Sequence, residues 1–164
     1  MDYWKEDILQ GLNSNIKIYA VSDIAKNNFI HNIGQWPIDL LPCGISEAKN
    51  YCIKKDKLFF AVIGSIYPIK GQDIFISALK KLSKTYCCQA QFWIIGKVVD
   101  EDYYQQLKEL GKGLDNLTFL GEIEKSKMQE IYSQIDILVV PSRNETLSLT
   151  AIEASLVLFL MQQV

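Results

Sequence analysis

Short apolar runs alternate with amphipathic stretches along most of the chain. Runs of mainly apolar residues predict strands that are buried on both faces of a sheet, at Leu58–Ile63, Phe92–Ile95, Leu117–Leu120 and Ile137–Val140. Amphipathic segments with helical spacing of their apolar residues predict helices over 72–85, 102–110, 125–135 and 147–158. This alternation predicts a parallel sheet with helices on both faces, which is a Rossmann-like, doubly wound α/β fold.

The first part of the chain has its own strand–helix–strand pattern. Ile16–Val21 is rich in β-formers, and Ser22 is a helix N-cap signal. The helix is predicted from Asp23 to Ile33, ending at Gly34, and a short strand follows at Ile38–Leu41. Residues 46–56 read as a polar linker. The predicted organisation is therefore a segment over residues 1–45 followed by a domain over 46–164.

Composition and charge narrow the class of protein. The chain is 49% hydrophobic, which is enough for a sizeable core, and its net charge of -2 gives no electrostatic support for a nucleic-acid partner. The N-terminus is too polar for a signal peptide, and the longest apolar run, Leu156–Met161, is too short to span a bilayer. The four cysteines lack the spacing of a metal site. Reduced thiols and a cytoplasmic location are expected.

Ligands of such a sheet bind at the carboxyl ends of its strands, so the loops that follow the strands are the places to look. These loops are 64–71, 96–101, 121–125 and 141–145, and the first three begin with glycine, which lets a ligand approach the backbone. Lys70 lies just before a predicted helix start, which is a ready anion site, although a solvated lysine in a turn is the plainer alternative. The loop matches neither a Walker A sequence nor G-x-G-x-x-G.

Two glutamates, Glu145 and Glu153, are the most informative pair in the sequence. Along a continuous helix they would lie about 12 Å apart with their side chains roughly 80° apart around the axis. That spacing suits two separated hydroxyl groups of one extended ligand and excludes a close glycosidase dyad. A helix cap plus a solvated glutamate would explain the same spacing. Glu153, however, lies in the small, apolar stretch Ala151–Ala154, where an unpaired carboxylate is costly.

Several motifs in order then resemble a known family. They are Gly64…Lys70-Gly71-Gln72-Asp73, Trp93-Ile94-Ile95-Gly96, Asn116-Leu117-Thr118-Phe119-Leu120-Gly121, Ile135-Asp136-Ile137-Leu138-Val139-Val140-Pro141-Ser142 and Glu145-x7-Glu153-Ala154. Together they look like the C-terminal domain of group 1 (GT4-type) glycosyltransferases of the GT-B fold. Residues 1–45 resemble the interdomain segment of that family, a remnant of its N-terminal half.

The resemblance implies roles for individual residues. Lys70 would contact the donor pyrophosphate, Glu145 the transferred sugar as the catalytic residue, and Glu153 the ribose hydroxyls. Gly121, Glu122 and Ile123 would border the base, and Leu147, Ser148 and Leu149 would lie beside the phosphates. The further donor-binding positions are Gly64, Ser65, Gly96, Ser142 and Arg143.

The resemblance also implies a reaction. The donor would be a nucleotide diphosphate sugar, the reaction would retain anomeric configuration, and neither a metal nor another cofactor would be needed. The acceptor would be a glycan or a lipid-linked molecule, held by the N-terminal domain, in cell-surface polysaccharide or lipopolysaccharide synthesis. Peripheral association with the inner face of the membrane is a related expectation, because such enzymes often use lipid-linked acceptors.

The sequence also departs from the family pattern. Ser65 stands where an arginine is common, so that Arg143 is a candidate replacement. After Glu153 the chain lacks the usual glycine-containing turn and strand, and the acceptor-binding half is missing. We therefore expect weak donor binding and no useful turnover from this chain alone. A non-catalytic α/β ligand-binding domain, and a GT-B relative such as a sugar-nucleotide epimerase or phosphorylase, are the alternatives.

Overall fold

The computed structural model of the chain describes residues 17–42, 44, 56–82 and 90–161, and for residues 156–161 it describes the backbone only. The chain divides into two compact units, Met1–Gly44 and Ile45–Val164. The four cysteines, most of the predicted linker and residues 83–85 of a predicted helix lie outside the described residues.

The first unit contains two parallel strands joined by a helix. Strands β1 (Ile18–Ala20) and β2 (Ile38–Leu40) pair over their full length, and helix α1 (Asp23–Asn32) lies between them in sequence. The Ser22 hydroxyl accepts a hydrogen bond from the Ala25 amide at 3.2 Å, as expected of a helix N-cap. Both strands are shorter than predicted, because only three residues of each take part in the pairing.

The second unit is built on a four-stranded parallel sheet. Its strands are β3 (Leu58–Ile63), β4 (Ala90–Ile95), β5 (Leu117–Gly121) and β6 (Ile137–Leu138), and their order across the sheet is β5-β4-β3-β6. The predicted α/β fold with a parallel sheet is confirmed. Strand β6 is shorter than the predicted Ile137–Val140, although the Val139 amide still bonds the Ala61 carbonyl at 2.8 Å.

Helices cover both faces of this sheet. They are α2 (Gln72–Leu79), α3 (Glu101–Leu110), α4 (Met128–Gln134) and α5 (Leu149–Met161), with 3-10 turns at Pro68–Lys70 and Lys125–Lys127. Val62 packs in one apolar core with residues of α2 and α3, whereas its neighbour Ala61 packs in a second core with residues of α4 and α5. Successive residues of a strand point to opposite faces, which is why the central strands are apolar throughout.

Several predicted helix ends were wrong. The segment predicted as one helix over 125–135 is a 3-10 turn followed by α4, and α5 runs to Met161 rather than to 158. Local hydrogen bonds explain two further differences. Helix α2 ends at Leu79 rather than at 85, because the amides of Lys81 and Leu82 bond carbonyls three residues back and tighten the chain into a turn. Helix α5 begins at Leu149 rather than at 147, because the Ser148 hydroxyl accepts the Ala151 amide at 3.3 Å as a cap. Glu145 consequently lies in the loop before the helix, and the 12 Å helical spacing expected of a continuous helix does not apply.

Strand order reverses at β3, since the chain first moves outward to β4 and β5 and then returns to place β6 on the other side of β3. The loops that follow β3 and β6 therefore meet at the same edge of the sheet. At this meeting point Gly71 has a φ of 68°, and a Cβ added there would overlap the carbonyl group of Pro141. Glycine is needed at Gly71 both for its backbone conformation and for this close approach.

We predict that Gly71→Ala lowers the free energy of unfolding by about 1–3 kcal/mol, because alanine is strained at positive φ and its methyl group must displace the Pro141 backbone. Gly113→Ala is the matched control: Gly113 has a φ of 84°, and no described atom lies within 4 Å of the place that the added methyl group would take. Urea denaturation of both variants separates the two contributions. Equal losses would show that the contact with Pro141 is unimportant.

Candidate functional site

A cleft lies at the carboxyl ends of β3 and β6, where the strand order reverses. Its volume is about 170 Å³, and we call it the lysine cleft. The polar side chains that face it come from the loop after β3 and from the loop between β6 and α5. It is lined by Val62, Ile63, Gly64, Lys70, Val139, Val140, Pro141, Ser142, Glu145, Leu147, Ser148, Leu149 and Thr150.

An ion pair stands in this cleft. The Lys70 ammonium donates to the Glu145 carboxylate at 2.8 Å, and the Ser142 hydroxyl lies 3.5 Å from the same carboxylate oxygen. The two charged side chains keep 32% and 27% of their surface exposed, so both are reachable from solvent. Lys70 ends the 3-10 turn, and the stem of its side chain passes over Gly64. A methyl group on residue 64 would lie in ordinary contact with that stem, at 3.8 Å.

The N-terminus of α5 opens into the same cleft through Leu149 and Thr150. The first amides of a helix lack carbonyl partners within the helix, and the helix dipole gives that end a partial positive charge. The Ser148 hydroxyl satisfies the Ala151 amide. Lys70 and the helix end together make the cleft suitable for an anion.

A second cleft, which we call the Glu153 cleft, has a volume of about 550 Å³. It is lined by Glu122, Ile123, Glu124, Lys125, Met128 and Glu153. Ile123 and Met128 also pack against the core on the α4 and α5 face of the sheet, so this cleft has an apolar side as well as a carboxylate. That combination can hold a flat, partly apolar group next to hydroxyl donors.

The Glu153 carboxylate has a buried partner. The Tyr132 hydroxyl, on α4, donates to it at 2.7 Å, and the tyrosine is only 4% exposed. Burial, and then the hydrogen bond to the carboxylate, raise the pKa of Tyr132 far above its ordinary value. The hydroxyl is therefore a fixed donor at neutral pH.

The two clefts are adjacent along α5. Leu149 lines the lysine cleft, and Glu153, one turn further along the same face of the helix, lines the Glu153 cleft. Four helical residues advance about 6 Å. One extended ligand could therefore occupy both clefts, with an anionic portion at Lys70.

Three glycines bring the strand ends together beside the lysine cleft. The Gly64 amide bonds the Ile95 carbonyl at 2.9 Å, and the Gly96 amide bonds the Gly121 carbonyl at 2.8 Å. A Cβ on Gly96 would overlap the carbonyl group of Gly64. Gly96 is thus packed against the glycine that lines the lysine cleft, and Gly121 is bonded to Gly96 on the next strand.

Arg143, which the sequence made a candidate replacement for an arginine at position 65, is paired with Asp73. Its guanidinium binds both carboxylate oxygens of Asp73, at 2.9 and 2.5 Å, and the Pro68 carbonyl at 2.5 Å. Tyr103 donates to the same carboxylate at 2.6 Å. Ser65 is exposed, and its carbonyl accepts from the Gln72 side chain at 2.9 Å. Arg143 therefore ties the loop after β6 to the turn that carries Lys70.

One family profile matches most of the second unit. The sequence profile described as glycosyl transferases group 1 matches residues 46–157. The chain belongs to this family. The profile covers both clefts, and the predicted resemblance to group 1 glycosyltransferases of the GT-B fold is confirmed.

Individual relatives agree with the family. The chain is 26% identical over 141 residues to a D-inositol 3-phosphate glycosyltransferase of Mycobacteroides abscessus, covering 76% of the chain and 31% of the relative. It is 27% identical over 140 residues to the O-antigen chain mannosyltransferase RfbU of Salmonella typhimurium, covering 83% and 37%. The chain therefore spans about a third of the length of these curated relatives.

A solved structure supports the fold. The structure of Anabaena Alr3699/HepE in complex with UDP and glucose superposes with a TM-score of 0.74 at 19% identity, covering 85% of this chain and 42% of that one. At this level of identity the likeness concerns the fold alone.

The structure gathers ten of the fourteen predicted site residues around the two clefts. Gly64, Lys70, Ser142, Glu145, Leu147, Ser148 and Leu149 line the lysine cleft, and Glu122, Ile123 and Glu153 line the Glu153 cleft. Gly96 lies against Gly64 and Gly121 is bonded to Gly96, whereas Ser65 is exposed and Arg143 is bound to Asp73. The donor-binding roles of all fourteen stay predictions.

Three residues around the site were missed by sequence reasoning: Asp73, Tyr103 and Tyr132. The apolar surroundings of Glu153 did indicate that its carboxylate needs a partner. They could not indicate that the partner is Tyr132, because the contact joins two helices 21 residues apart in sequence.

The described residues contain neither a metal-binding group nor a membrane-spanning helix. No group of three or more histidine, cysteine, aspartate or glutamate side chains in that part of the chain is placed to hold a metal ion. Among the described helices, none has the length and apolar character needed to cross a membrane.

The Asp73–Arg143 pair leads to a prediction about acid stability. The Arg143 hydrogen bond lowers the pKa of Asp73 to about 2 from an ordinary value of 3.8. A carboxyl whose pKa is lowered by folding stabilises the fold above its ordinary pKa, and this contribution is lost as the pH falls through about 4 towards about 2. We predict that Asp73→Asn lowers the free energy of unfolding at neutral pH but flattens its fall below pH ~4.

Urea denaturation at a series of pH values measures this difference. Asp115→Asn is the control, because Asp115 is an exposed carboxylate away from both clefts. Parallel pH profiles for the wild type and Asp73→Asn would contradict the assigned contribution of the pair.

Proposed function

We propose that residues 46–164 bind a nucleotide diphosphate sugar across the lysine cleft and the Glu153 cleft, as the donor-binding part of a retaining glycosyltransferase. The observation that carries this proposal is the placement of Lys70 and Glu145 at the N-terminus of α5, with Glu153 one turn further along the helix. Membership of the family supports it.

The diphosphate belongs in the lysine cleft. Lys70 supplies a mobile positive charge, and the first amides of α5 supply fixed donors. When the sugar departs, negative charge develops on the nucleoside diphosphate, and groups already oriented toward that charge stabilise the transition state more than the ground state. Lys70 and the helix end are in position for this role.

The transferred sugar belongs beside Glu145. This carboxylate accepts hydrogen bonds well and, at the mouth of the lysine cleft, lies next to the proposed phosphate position. In this proposal Glu145 holds sugar hydroxyls and orients the reacting carbon. The donor requires no resident cofactor here, because the positive charge comes from Lys70 and α5.

The nucleoside belongs in the Glu153 cleft. Two vicinal ribose hydroxyls suit one carboxylate, and the apolar surface of Ile123 suits the face of a base. The UDP and glucose in the Anabaena structure are the kind of ligand that these two adjacent clefts would take.

The acceptor is proposed from the relatives. One matched relative is an O-antigen chain mannosyltransferase and another, from Streptococcus pneumoniae, is an alpha-galactosylglucosyldiacylglycerol synthase. We propose a hexosyl transfer to a glycan or lipid-linked acceptor in cell-surface polysaccharide synthesis, at the cytoplasmic face of the membrane. The acceptor would be held by a second domain like that of the relatives, so the 164-residue chain should bind a donor without transferring its sugar.

Calorimetric titration tests the donor site. UDP, GDP and ADP are titrated into the 164-residue chain, and we expect one of them to bind. Lys70→Ala should weaken that binding at least about tenfold, because it removes the cation from the phosphates. Lys80→Ala, an exposed lysine that lines neither cleft, is the matched control. If none of the three nucleotides binds, or if both variants lose equally, the proposed site is wrong.

The Lys70–Glu145 ion pair leads to a less obvious prediction. Without a donor, Glu145 is paired with Lys70. A phosphate that binds Lys70 must displace this carboxylate. Glu145→Gln should therefore tighten binding of the nucleoside diphosphate about two- to fivefold, since a half-exposed ion pair contributes up to about 1 kcal/mol. The same variant should weaken binding of the matching nucleotide sugar relative to the diphosphate.

The ratio of the two affinities is the measurement. A Glu145→Gln chain that binds both ligands with unchanged relative affinity would show that Glu145 does not hold the sugar. An unchanged affinity for the diphosphate would show that the pair with Lys70 does not oppose phosphate binding.

A further inference from the structure

Among the described residues of the second unit, Tyr132 is a buried tyrosine whose hydroxyl donates to a carboxylate. Its ring packs in the core on the α4 and α5 face of the sheet, while its hydroxyl reaches Glu153 at 2.7 Å. The tyrosine is 4% exposed, whereas Glu153 is half-buried and lines a cleft. The hydrogen bond thus joins a rigid buried group to a partly mobile one.

The flexibility of glutamate makes this bond important. A glutamate side chain has three rotatable bonds, and holding it in one conformation costs free energy whenever a ligand binds. The neighbours of Glu153 in sequence, Ile152 and Ala154, are apolar, and Thr150, one turn before it, is hydrogen-bonded to Ser148. The Tyr132 hydroxyl holds the carboxylate in place before any ligand arrives.

The bond also leaves the carboxylate free to bind a ligand. A carboxylate has about four acceptor positions on two oxygens, and Tyr132 occupies one position on one oxygen. Two vicinal hydroxyls require two of the remaining positions in a fixed orientation.

We infer that Tyr132 is a positioning residue that orients Glu153 toward the vicinal hydroxyls of a ribose and thereby sets a preference of this site for ribonucleotides over 2′-deoxyribonucleotides. The inference rests on the proposed donor-binding function. Tyr132 does not touch the ligand; it acts through Glu153, and only for ligands that offer both hydroxyls.

The test compares two ligands on each variant. The nucleoside diphosphate that binds the 164-residue chain most tightly among UDP, GDP and ADP is titrated in its ribose and 2′-deoxy forms. The wild type should prefer the ribose form at least about tenfold. Tyr132→Phe should weaken the ribose form about tenfold and the 2′-deoxy form less than about twofold, so that the preference largely disappears.

Tyr103→Phe is the matched control. Tyr103 is also buried, at 7% exposure, and its hydroxyl also donates to a carboxylate, that of Asp73 at 2.6 Å. It lines neither cleft. This variant loses that bond and the one that the hydroxyl accepts from the Asp73 amide at 3.1 Å. It should keep the wild-type ratio of the two affinities, even if both affinities fall together.

A second variant keeps the test decisive if Tyr132→Phe does not fold. Tyr132→Met also removes the hydroxyl, keeps a flexible apolar side chain in the core and leaves Glu153 unchanged, and it should also lose the preference for the ribose form. Circular dichroism and thermal unfolding report whether each variant is folded.

Each outcome decides between a positioning role and a merely structural one. Equal weakening of the ribose and 2′-deoxy forms by Tyr132→Phe would overturn the inference while leaving the donor site intact. A wild type that binds a nucleotide without any ribose preference would overturn the inference and the assignment of the ribose to Glu153, while leaving the phosphate site at Lys70 intact. Failure of all three nucleotides to bind would overturn the proposed function and this inference with it.

Discussion

The pairing of β6 with β3 is the constraint on which the site depends. Phe60 pairs with Ile137 and Ala61 with Leu138, so two segments far apart in sequence end at the same edge of the sheet. Only this return of the chain brings the loop of Lys70 against the loop of Glu145. Gly71 permits the contact with Pro141, and the Arg143 amide bonds the Ile69 carbonyl at 2.8 Å. The strand order therefore determines which side chains meet at the site.

Two separate ion pairs join the two segments. Lys70 neutralises Glu145 inside the cleft, and Arg143 neutralises Asp73 beside it. The two pairs have different surroundings. Arg143 is held by a two-oxygen contact to Asp73 and by the Pro68 carbonyl, so its charge is committed to the protein. Lys70 has a flexible stem and contacts one carboxylate oxygen of Glu145. Its ammonium can therefore leave Glu145 and bind a phosphate.

Much of the fold could be predicted because buried parallel strands must be apolar on both faces, and four such runs are plain in the sequence. The ends of helices could not. Helix α5 begins at Leu149 because Ser148 caps it, whereas the apolar spacing extends back to Leu147 and gives no sign of the boundary. The true end of α2 likewise depends on backbone bonds that leave no mark on the side-chain pattern.

Some residues of the site could likewise be predicted from the sequence, and others could not. Lys70 and Glu145 could be found because each follows a strand in a loop that a parallel sheet places at its ligand-binding edge. The partners Asp73 for Arg143 and Tyr132 for Glu153 could not, because both contacts form only after helices pack. Arg143 was a candidate replacement for the family arginine at position 65. In the structure its guanidinium is bound to the Asp73 carboxylate.

A crystal structure of the 164-residue chain grown with a nucleoside diphosphate would test the central claim most directly. The account predicts one nucleotide that spans both clefts, with its diphosphate on Lys70 and the first turn of α5 and its ribose hydroxyls on Glu153. A nucleotide bound elsewhere on the chain, or bound in the reverse direction with its base beside Lys70, would contradict it.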